Sequence, residues 1–490
     1  MNDKKITAFL YSAGNGPGSI LANQLINHEL VEKIFFLSIQ NDKQIKNISN
    51  EIPIKNIFSS LVINQILNRT KTDFALFVFD KNQIELGSEA IFRLIKIAET
   101  YPAGITFSDY KIREGEIIKP NPLIDFQYGS VRDDFDFGSM VLISKDLLQK
   151  YSNDLGELNY SGFYSLVLFA SRNNVIKRIP EPLYLQKETT DKIHFEKQFE
   201  YLDLSKKNIQ IEREKVVTDH LKKIGALISN PSKLIDFNES LFEVVASVII
   251  PVKNREATIA DAIKSALEQR TEFEFNVIIV DNHSSDKTSS IIKSFNEKDP
   301  RVIHIIPESQ TLEIGGCWNL AINDSRCGKY SVQLDSDDLY IDNQSLQKVI
   351  DKLHQDKTAM LIGSYKLVDF KLNEIPPGLI DHGEWTDDNG SNNALRINGL
   401  GAPRAYYTPL IRQLQFPNVS YGEDYAVVLE IIRNYKISRI YEPIYLCRRW
   451  NDNTDSQLSR ERENKNNWYK DFIRTVEIIN REKIKEIETN

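Results

Sequence analysis

The chain has 490 residues, room for two or three domains. Hydrophobic residues make up 41% and charged residues 27%, the balance of a soluble globular protein whose halves can each bury a core. Acidic residues outnumber basic ones, 69 to 61, for a net charge of −8, which speaks against nucleic acid as a partner because phosphate binding needs a broad basic face.

The chain runs from Met1-Asn2-Asp3-Lys4-Lys5 straight into an apolar stretch at 6–11. The long apolar core and small-residue cleavage site of a secretion signal are missing. Apolar runs at 6–11, 33–38 and 74–79 alternate with helix-compatible stretches, which predicts a largely parallel sheet over residues 1–188. From 195 to 228 the chain is rich in Lys, Glu and Gln, with no Pro and no Gly before Gly225, the pattern of a helical connector over 189–240. Asn230-Pro231-Ser232 marks the break that follows.

A second α/β domain is expected over 241–460. Residues 244–252 form a continuous apolar strand, as when both sheet faces are covered. Residues 257–269 carry a helical stripe of Ile259, Ile263, Ala266 and Leu267. Further strands are predicted at 275–280, 302–306 and 330–334, with Ser284, Ser285 and Asp286 capping a helix near 287–295. Residues 461–490 read as a charged helical tail. No run of 18 apolar residues marks a membrane span. Cys317, Cys327 and Cys447 suit neither a zinc site nor a disulfide framework, so a reduced, cytoplasmic setting is expected. Contact with the inner face of a membrane and a homodimer are left open.

The two halves repeat each other. Arg178-Ile-Pro-Glu-Pro-Leu-Tyr-Leu185 matches Arg439-Ile-Tyr-Glu-Pro-Ile-Tyr-Leu446, an offset of 439 − 178 = 261. Phe77-Val-Phe-Asp80 meets Val332-Gln-Leu-Asp335, and Ser108-Asp109-Tyr110-Lys111 meets Gly363-Ser364-Tyr365-Lys366, both at 332 − 77 = 255. Their common order predicts a tandem duplication of one whole domain.

The chemistry concentrates in Leu334-Asp335-Ser336-Asp337-Asp338. A buried strand delivers three carboxylates to the mouth of an α/β sheet, where ligands bind. Oxygen donors of this kind suit Mg²⁺ or Mn²⁺ shared with substrate phosphates. An acidic turn that merely ends a strand is the competing reading. Tyr421-Gly422-Glu423-Asp424-Tyr425 sets two more carboxylates at a helix start, placed to take a proton or simply to cap the helix. His283, His304 and His382 lack metal-ligand spacing. Gly399-Leu400-Gly401-Ala402-Pro403-Arg404 reads as a tight loop beside an acceptor site, or only as a turn.

Taken in order, Pro251-Val252-Lys253-Asn254-Arg255-Glu256, Val280-Asp281-Asn282-His283-Ser284-Ser285-Asp286, Gly315-Gly316-Cys317-Trp318-Asn319 and Asp335-Ser336-Asp337-Asp338 resemble the family 2 inverting glycosyltransferases over about 244–450. That resemblance implies two tandem Rossmann-like, GT-A domains, the first degenerate. It implies a nucleotide-sugar donor, a UDP-sugar by expectation, held by Pro251, Val252, Asn254, Glu256, Asp281, Asn319, Asp335, Ser336, Arg449 and Trp450. Asp335 and Asp337 would hold Mn²⁺ or Mg²⁺, Asp424 would be the base and Glu423 would position the acceptor. The acceptor would be a glycan, a lipid-linked glycan or a protein. Lys253 stands where an aromatic is common, and Trp318 where Arg is common. Arg448-Arg449-Trp450 resembles the Arg-Trp element of polysaccharide synthases, but Leu446 replaces its preceding Gln, which favours single-sugar transfer.

In the first half Asp80-Lys81-Asn82 falls on the Asp-x-Asp position, and Gly162 and Phe163 fall on Glu423 and Asp424. A non-catalytic scaffold, acceptor-recognition or dimerisation role is expected there. Gly14-Asn15-Gly16-Pro17-Gly18 lacks the Gly-Lys-Ser/Thr end of a phosphate loop. Two other classes compete for the whole chain. A nucleotidyltransferase would need a basic, Gly-rich loop that 251–256 does not supply. A non-catalytic sugar-binding or assembly module would tolerate loss of the carboxylates.

Overall fold

The computed structural model describes residues 4–39, 50–187, 207–229, 231, 233–237, 242–383, 385–386, 388–450 and 458–489. The chain divides into two compact units, one of Met1–Leu227 with Ser459–Asn490 and one of Ile228–Leu458.

In the first unit the strands are β1 (Ile6–Tyr11), β2 (Val31–Ile39), β3 (Glu51–Ile54), β4 (Phe74–Val78), β5 (Gln83–Leu86), β6 (Ala103–Glu114), β7 (Ile117–Asn121), β8 (Met140–Ser144) and β9 (Val175–Lys187). The second unit holds β10 (Ala246–Val252), β11 (Phe275–Asp281), β12 (Val302–Ile305), β13 (Tyr330–Gln333), β14 (Leu339–Tyr340), β15 (Met360–Asp369), β16 (Glu374–Ile380), β17 (Arg404–Tyr407) and β18 (Ile437–Arg449). The first sheet runs β3-β2-β1-β4-β8-β6-β9-β5, with β7 on β6. The second runs β12-β11-β10-β13-β17-β15-β18-β14, with β16 on β15. The two orders are the same order, strand for strand. One Rossmann-like architecture therefore occurs twice in tandem.

Each sheet is half parallel. β1, β2, β3 and β4 pair in parallel, as do β10, β11, β12 and β13. Beyond them β8 and β17 run antiparallel to both neighbours. A largely parallel sheet is thus corrected to a mixed one. Helices still separate strands beyond β4 and β13, but there the chain returns in the opposite direction and hairpins such as β6–β7 add antiparallel pairs. β10 and β11 are buried along nearly their whole length because helices cover both faces. Ile259, Ala262, Ile263 and Ala266 form the buried face of the helix Ile259–Leu267.

The connector expected over 189–240 is described only in part. Lys207–Lys223 is helical and groups with the first unit, while 188–206 lies outside the described residues. The charged end of the chain is the helix Arg460–Thr489, and it too packs within the first unit. Gly129 lets the two backbones meet, since a Cβ there would lie 2.1 Å from the Thr475 nitrogen. The helix buries charge beside Ile473 and Ile478. Asp471 and Arg474 are 0% exposed. Asp471 accepts from Arg132 Nε at 3.1 Å, Arg474 Nη1 at 2.9 Å and Ser130 Oγ at 2.8 Å. Removing one partner of a buried ion network strands the others. Asp471→Ala is therefore expected to destabilise the first unit by about 3–5 kcal/mol, measured as a shifted denaturant midpoint. A change under about 1 kcal/mol would mean that water reaches the two arginines.

Candidate active site

The parallel half of the second sheet aims its strand ends at one edge. β10 ends at Val252 and β11 at Asp281, and two loops follow. These loops are laced together. Asn254 Oδ1 accepts from Ser285 N at 2.7 Å, Glu256 Oε2 from Lys287 N at 2.9 Å and Asp286 Oδ2 from Glu256 N at 3.1 Å. Asp286 also accepts from Thr288 N at 3.0 Å, but the cap residue of the helix Thr288–Asn296 is Lys287, which makes no side-chain cap bond. Ser284 and Ser285 bond Asn254 instead, so the expected serine cap is corrected. Asn254 itself takes a positive φ of 52° to make the turn.

Asp281 is fully buried. It accepts from Ser284 N at 3.0 Å and from the Ser289 hydroxyl, and His304 Nε2 lies 3.5 Å away. Burial alone would raise its pKa, but these partners overcome burial and hold it far below the usual carboxylate range. Asp281 thus fixes the loop from within. Asn282 beside it donates to Leu312 O at 2.7 Å, while its Oδ1 is buried without a hydrogen-bond partner.

Asn319 clamps a neighbouring backbone. Its Nδ2 donates to Phe416 O and its Oδ1 accepts from Phe416 N, both at 2.8 Å. One N–H and one lone pair of the amide are used in this way, and a second of each is left. Ser336 is buried within the acidic turn. Pro251 and Val252 close β10 beside the laced loops.

The acidic turn follows β13 directly. Asp335 Oδ1 accepts from Gln333 Nε2 at 2.9 Å, and Asp335 N donates to Tyr445 Oη at 2.9 Å. Asp338 Oδ1 accepts from Arg448 N at 2.8 Å, and Arg448 Nε donates to the Asp337 carbonyl. Asp337 Oδ2 receives Trp450 Nε1 at 3.3 Å and lies 3.8 Å from Arg255 Nε. β18 thereby brings the Arg448-Arg449-Trp450 element onto the turn, with Arg449 at the strand end paired with Asp369.

Asp424 arrives from the far side. Gly422, at a φ of 83°, opens the helix Glu423–Asn434, with both acids in its first turn. Asp424 Oδ2 meets Arg404 Nη1 at 2.5 Å. Arg404 N donates to Gln333 Oε1 at 3.1 Å, which joins the Arg404–Asp424 pair to Asp335 through one glutamine. The carboxylates feel one another. Burial, with the charges of Asp337 and Asp424, pushes Asp335 above its ordinary value despite Gln333 and Arg404. Asp338 is raised further by burial and by Asp337 and Asp335.

Arg404, Arg255 and Gln333 were missed as site residues. Gln333 was recoverable, because residues two apart on a strand share a face and Asp335 follows it by two. Arg255 and Arg404 lie in segments already singled out, 251–256 and 399–404, but nothing in the sequence says which acid each would meet.

Burial, then Asp424, pushes Glu423 up to about 8, and its Oε2 is buried without a hydrogen-bond partner. The folded state keeps a proton that the unfolded chain releases near its ordinary 4.5. Glu423 therefore opposes folding increasingly as pH rises from about 4.5 to about 8. Glu423→Gln is expected to gain melting temperature over the native chain across that interval. A pH-independent gap in parallel thermal melts would contradict this.

Asp335 and Asp337 fit a divalent cation. Their oxygens are hard donors, and the acids accumulate negative charge that raises Asp335. Among the described residues no three His, Cys, Asp or Glu side chains could hold a metal unaided. A cation here would need substrate phosphates to complete its shell, the usual arrangement for Mg²⁺.

The first unit presents a contrast at the same places. The helix Gly162–Asn173 occupies the position of Glu423–Asn434, so Phe163 stands where Asp424 stands. Phe163 packs 5.4 Å from Phe79, 5.8 Å from Phe77 and 5.8 Å from Phe137, centroid to centroid. Asp80 accepts from Asn82 N at 2.9 Å and Ser139 Oγ at 3.2 Å.

Residues 247–412 match the sequence model of Glycosyl transferase family 2. A glycosyltransferase of Haemophilus influenzae is 30% identical over 198 residues, which are 40% of this chain and 74% of that protein. The Escherichia coli UDP-Glc:alpha-D-GlcNAc-diphosphoundecaprenol beta-1,3-glucosyltransferase WfgD is 27% identical over 199 residues, again 40% and 74%. Staphylococcus aureus TarS 1–349 in complex with UDP superposes with a TM-score of 0.38 at 21% identity, over 48% of this chain and 66% of that one. The chain belongs to the family 2 glycosyltransferases. Its second half is thus a nucleotide-sugar-dependent glycosyltransferase domain, and the first half repeats that architecture. Among the described residues no helix is long and apolar enough to cross a membrane.

Proposed function

We propose that the second half transfers one sugar, with inversion, from a UDP-sugar to a hydroxyl of a glycan or lipid-linked glycan, with Mn²⁺ or Mg²⁺ as cofactor. The observation that carries this is the joining of Asp335 and the Arg404–Asp424 pair through Gln333. The nucleotide lies along Pro251 to Glu256 and the loop that Asp281 shapes. Asp335 and Asp337 would hold the cation, which would supply positive charge to the leaving diphosphate. Arg449 and Trp450 flank that diphosphate and its sugar. Asp424 takes the proton of the acceptor hydroxyl as its oxygen bonds to the sugar's anomeric carbon and the bond to diphosphate breaks. An α-linked donor then yields a β-linked product. Glu423 positions the acceptor. The first half, with Phe163 and Asn82 in place of acids, is a non-catalytic partner domain.

An apolar rim favours an acceptor with a lipid chain. Phe370 and Leu372 are exposed at the turn between β15 and β16. Phe370 lies 5.6 Å from the Trp450 ring, which itself contacts Asp337. Leu372 is held at a φ of 67°, a strained setting for a leucine in which Gly or Asn would rest more easily. The E. coli relative's printed acceptor, a diphosphoundecaprenol-linked sugar, has this chemistry. The reaction would then take place at the inner face of the membrane.

Transfer from UDP-sugars to polyprenyl-diphosphate-linked and soluble acceptors, with and without Mn²⁺, is the test. Expected are Mn²⁺-dependent turnover, stabilisation of the folded chain by UDP plus Mn²⁺, and a KM for the lipid acceptor about tenfold higher in Phe370→Ser/Leu372→Ser with the donor KM unchanged. Absence of any UDP-dependent stabilisation would remove the donor assignment. Equal use of soluble acceptors by both forms would remove the lipid.

A further inference from the structure

The helix Arg460–Thr489 is apolar on both sides. Its inner face buries Ile473 and Ile478 together with Lys470, Asp471, Arg474, Glu477 and Arg481, while its outer face shows large apolar side chains. Trp468 is 45%, Phe472 44%, Val476 43% and Ile479 37% exposed. With Lys465, Lys483 and Glu486, also exposed, these positions follow one another at steps of three and four residues along one helix face. The Trp468 and Phe472 rings stack, 6.0 Å apart and 2° from parallel. A soluble surface seldom carries such a stripe without an occupant.

We infer that the occupant is the same face of a second copy of this chain, packed antiparallel about a twofold axis. An axis crossing the helix between Thr475 and Val476 sets Phe472 against Ile479 of the second copy, Trp468 against its Lys483, and Lys465 against its Glu486. Each contact occurs twice. The register therefore gives two apolar pairs, two cation–aromatic pairs and two opposite-charge pairs from one helix. A lipid surface fits less well. Interfacial helices border their apolar stripe with Lys and Arg, whereas this helix carries eight basic and seven acidic residues. The stripe and its flanks offer on the order of 500 Å² per copy, about 1,000 Å² for the pair, which is the lower threshold of a specific interface. The dimer should therefore dissociate on dilution.

Analytical ultracentrifugation of the full chain over a concentration series tests this. The native chain is expected to approach twice its 56.4 kDa mass at high concentration and to return to that mass on dilution. Phe472→Glu is expected to stay monomeric. Lys465→Glu should weaken the dimer about tenfold by setting two like-charge pairs against each other, and Lys465→Glu/Glu486→Lys should restore it. Val476→Cys, beside the axis, should form an oxidant-dependent disulfide dimer that the native chain does not. A native chain that is monomeric throughout overturns the inference. So does a dimer that neither Phe472→Glu nor Lys465→Glu weakens. Should Phe472→Glu fail to fold, the charge swap decides alone, since both its positions are exposed.

Discussion

Asp337→Asn is expected to lower kcat on the order of 10³-fold while leaving the fold intact. The change is isosteric and removes one negative charge that raises Asp335 and Asp338. The melting temperature of the ligand-free variant should therefore hold or rise. What is lost is the anionic charge of a ligand at the diphosphate, since the amide oxygen is a neutral donor. The amide can still accept from Trp450 Nε1, so the Arg-Trp element stays docked. Initial rates across a Mn²⁺ series would show the effect as a lost cation dependence, with stabilisation by UDP plus Mn²⁺ sharply reduced. A variant that turns over within tenfold of the native rate would remove Asp337 from the metal site.

Asp424→Asn is expected to cost about 10²–10⁴ in kcat with little change in the donor KM, because proton removal is needed in the chemical step and not in donor binding. The variant also leaves Arg404 facing a neutral amide where it had a carboxylate at 2.5 Å, so some stability should go with it. Glu423→Gln separates the two acids. It removes a carboxyl that is already protonated near neutral pH, so its rate loss should be much smaller and its stability should gain. A dead Glu423→Gln beside an active Asp424→Asn would transfer the base to Glu423.

Much of the donor side was legible in the sequence. β10 and β11 each carry a mostly apolar core segment, as strands covered on both faces do, and β13, though it mixes Tyr, Ser, Val and Gln, is buried throughout. Their acidic ends follow by chain continuity, so Asp335 and Asp337 reach the sheet edge without long-range information. The repeat was equally readable, because two copies of one architecture keep their motifs in the same order. The mixed half of each sheet was not. β15, β17 and β18 come together through returning segments, and direction of pairing leaves no periodic trace in a single strand.

Polar side chains divide in the same way. Asn319 and Asp281 sit in motifs that suggested ligand contact, and the structure adds bonds that the motifs did not announce: Asn319 clamps the Phe416 backbone and Asp281 holds its own loop. A side chain's type states what it can bond, not which partner reaches it first. Asp471 is the extreme case, since its partner Arg132 lies 339 residues away. The segment read as a charged helical tail is a helix, and five of its charged side chains are buried.

By itself the sequence determined the apolar strands, the acids at their ends and the doubling of the domain, because each depends only on local spacing. The tertiary structure alone decided that Arg404 and Gln333 join Asp424 to Asp335, that Phe163 seals the matching place in the first half, and that the last helix turns its charges inward. These depend on which distant groups desolvate one another, and burial is a property of the folded surface rather than of any stretch of chain.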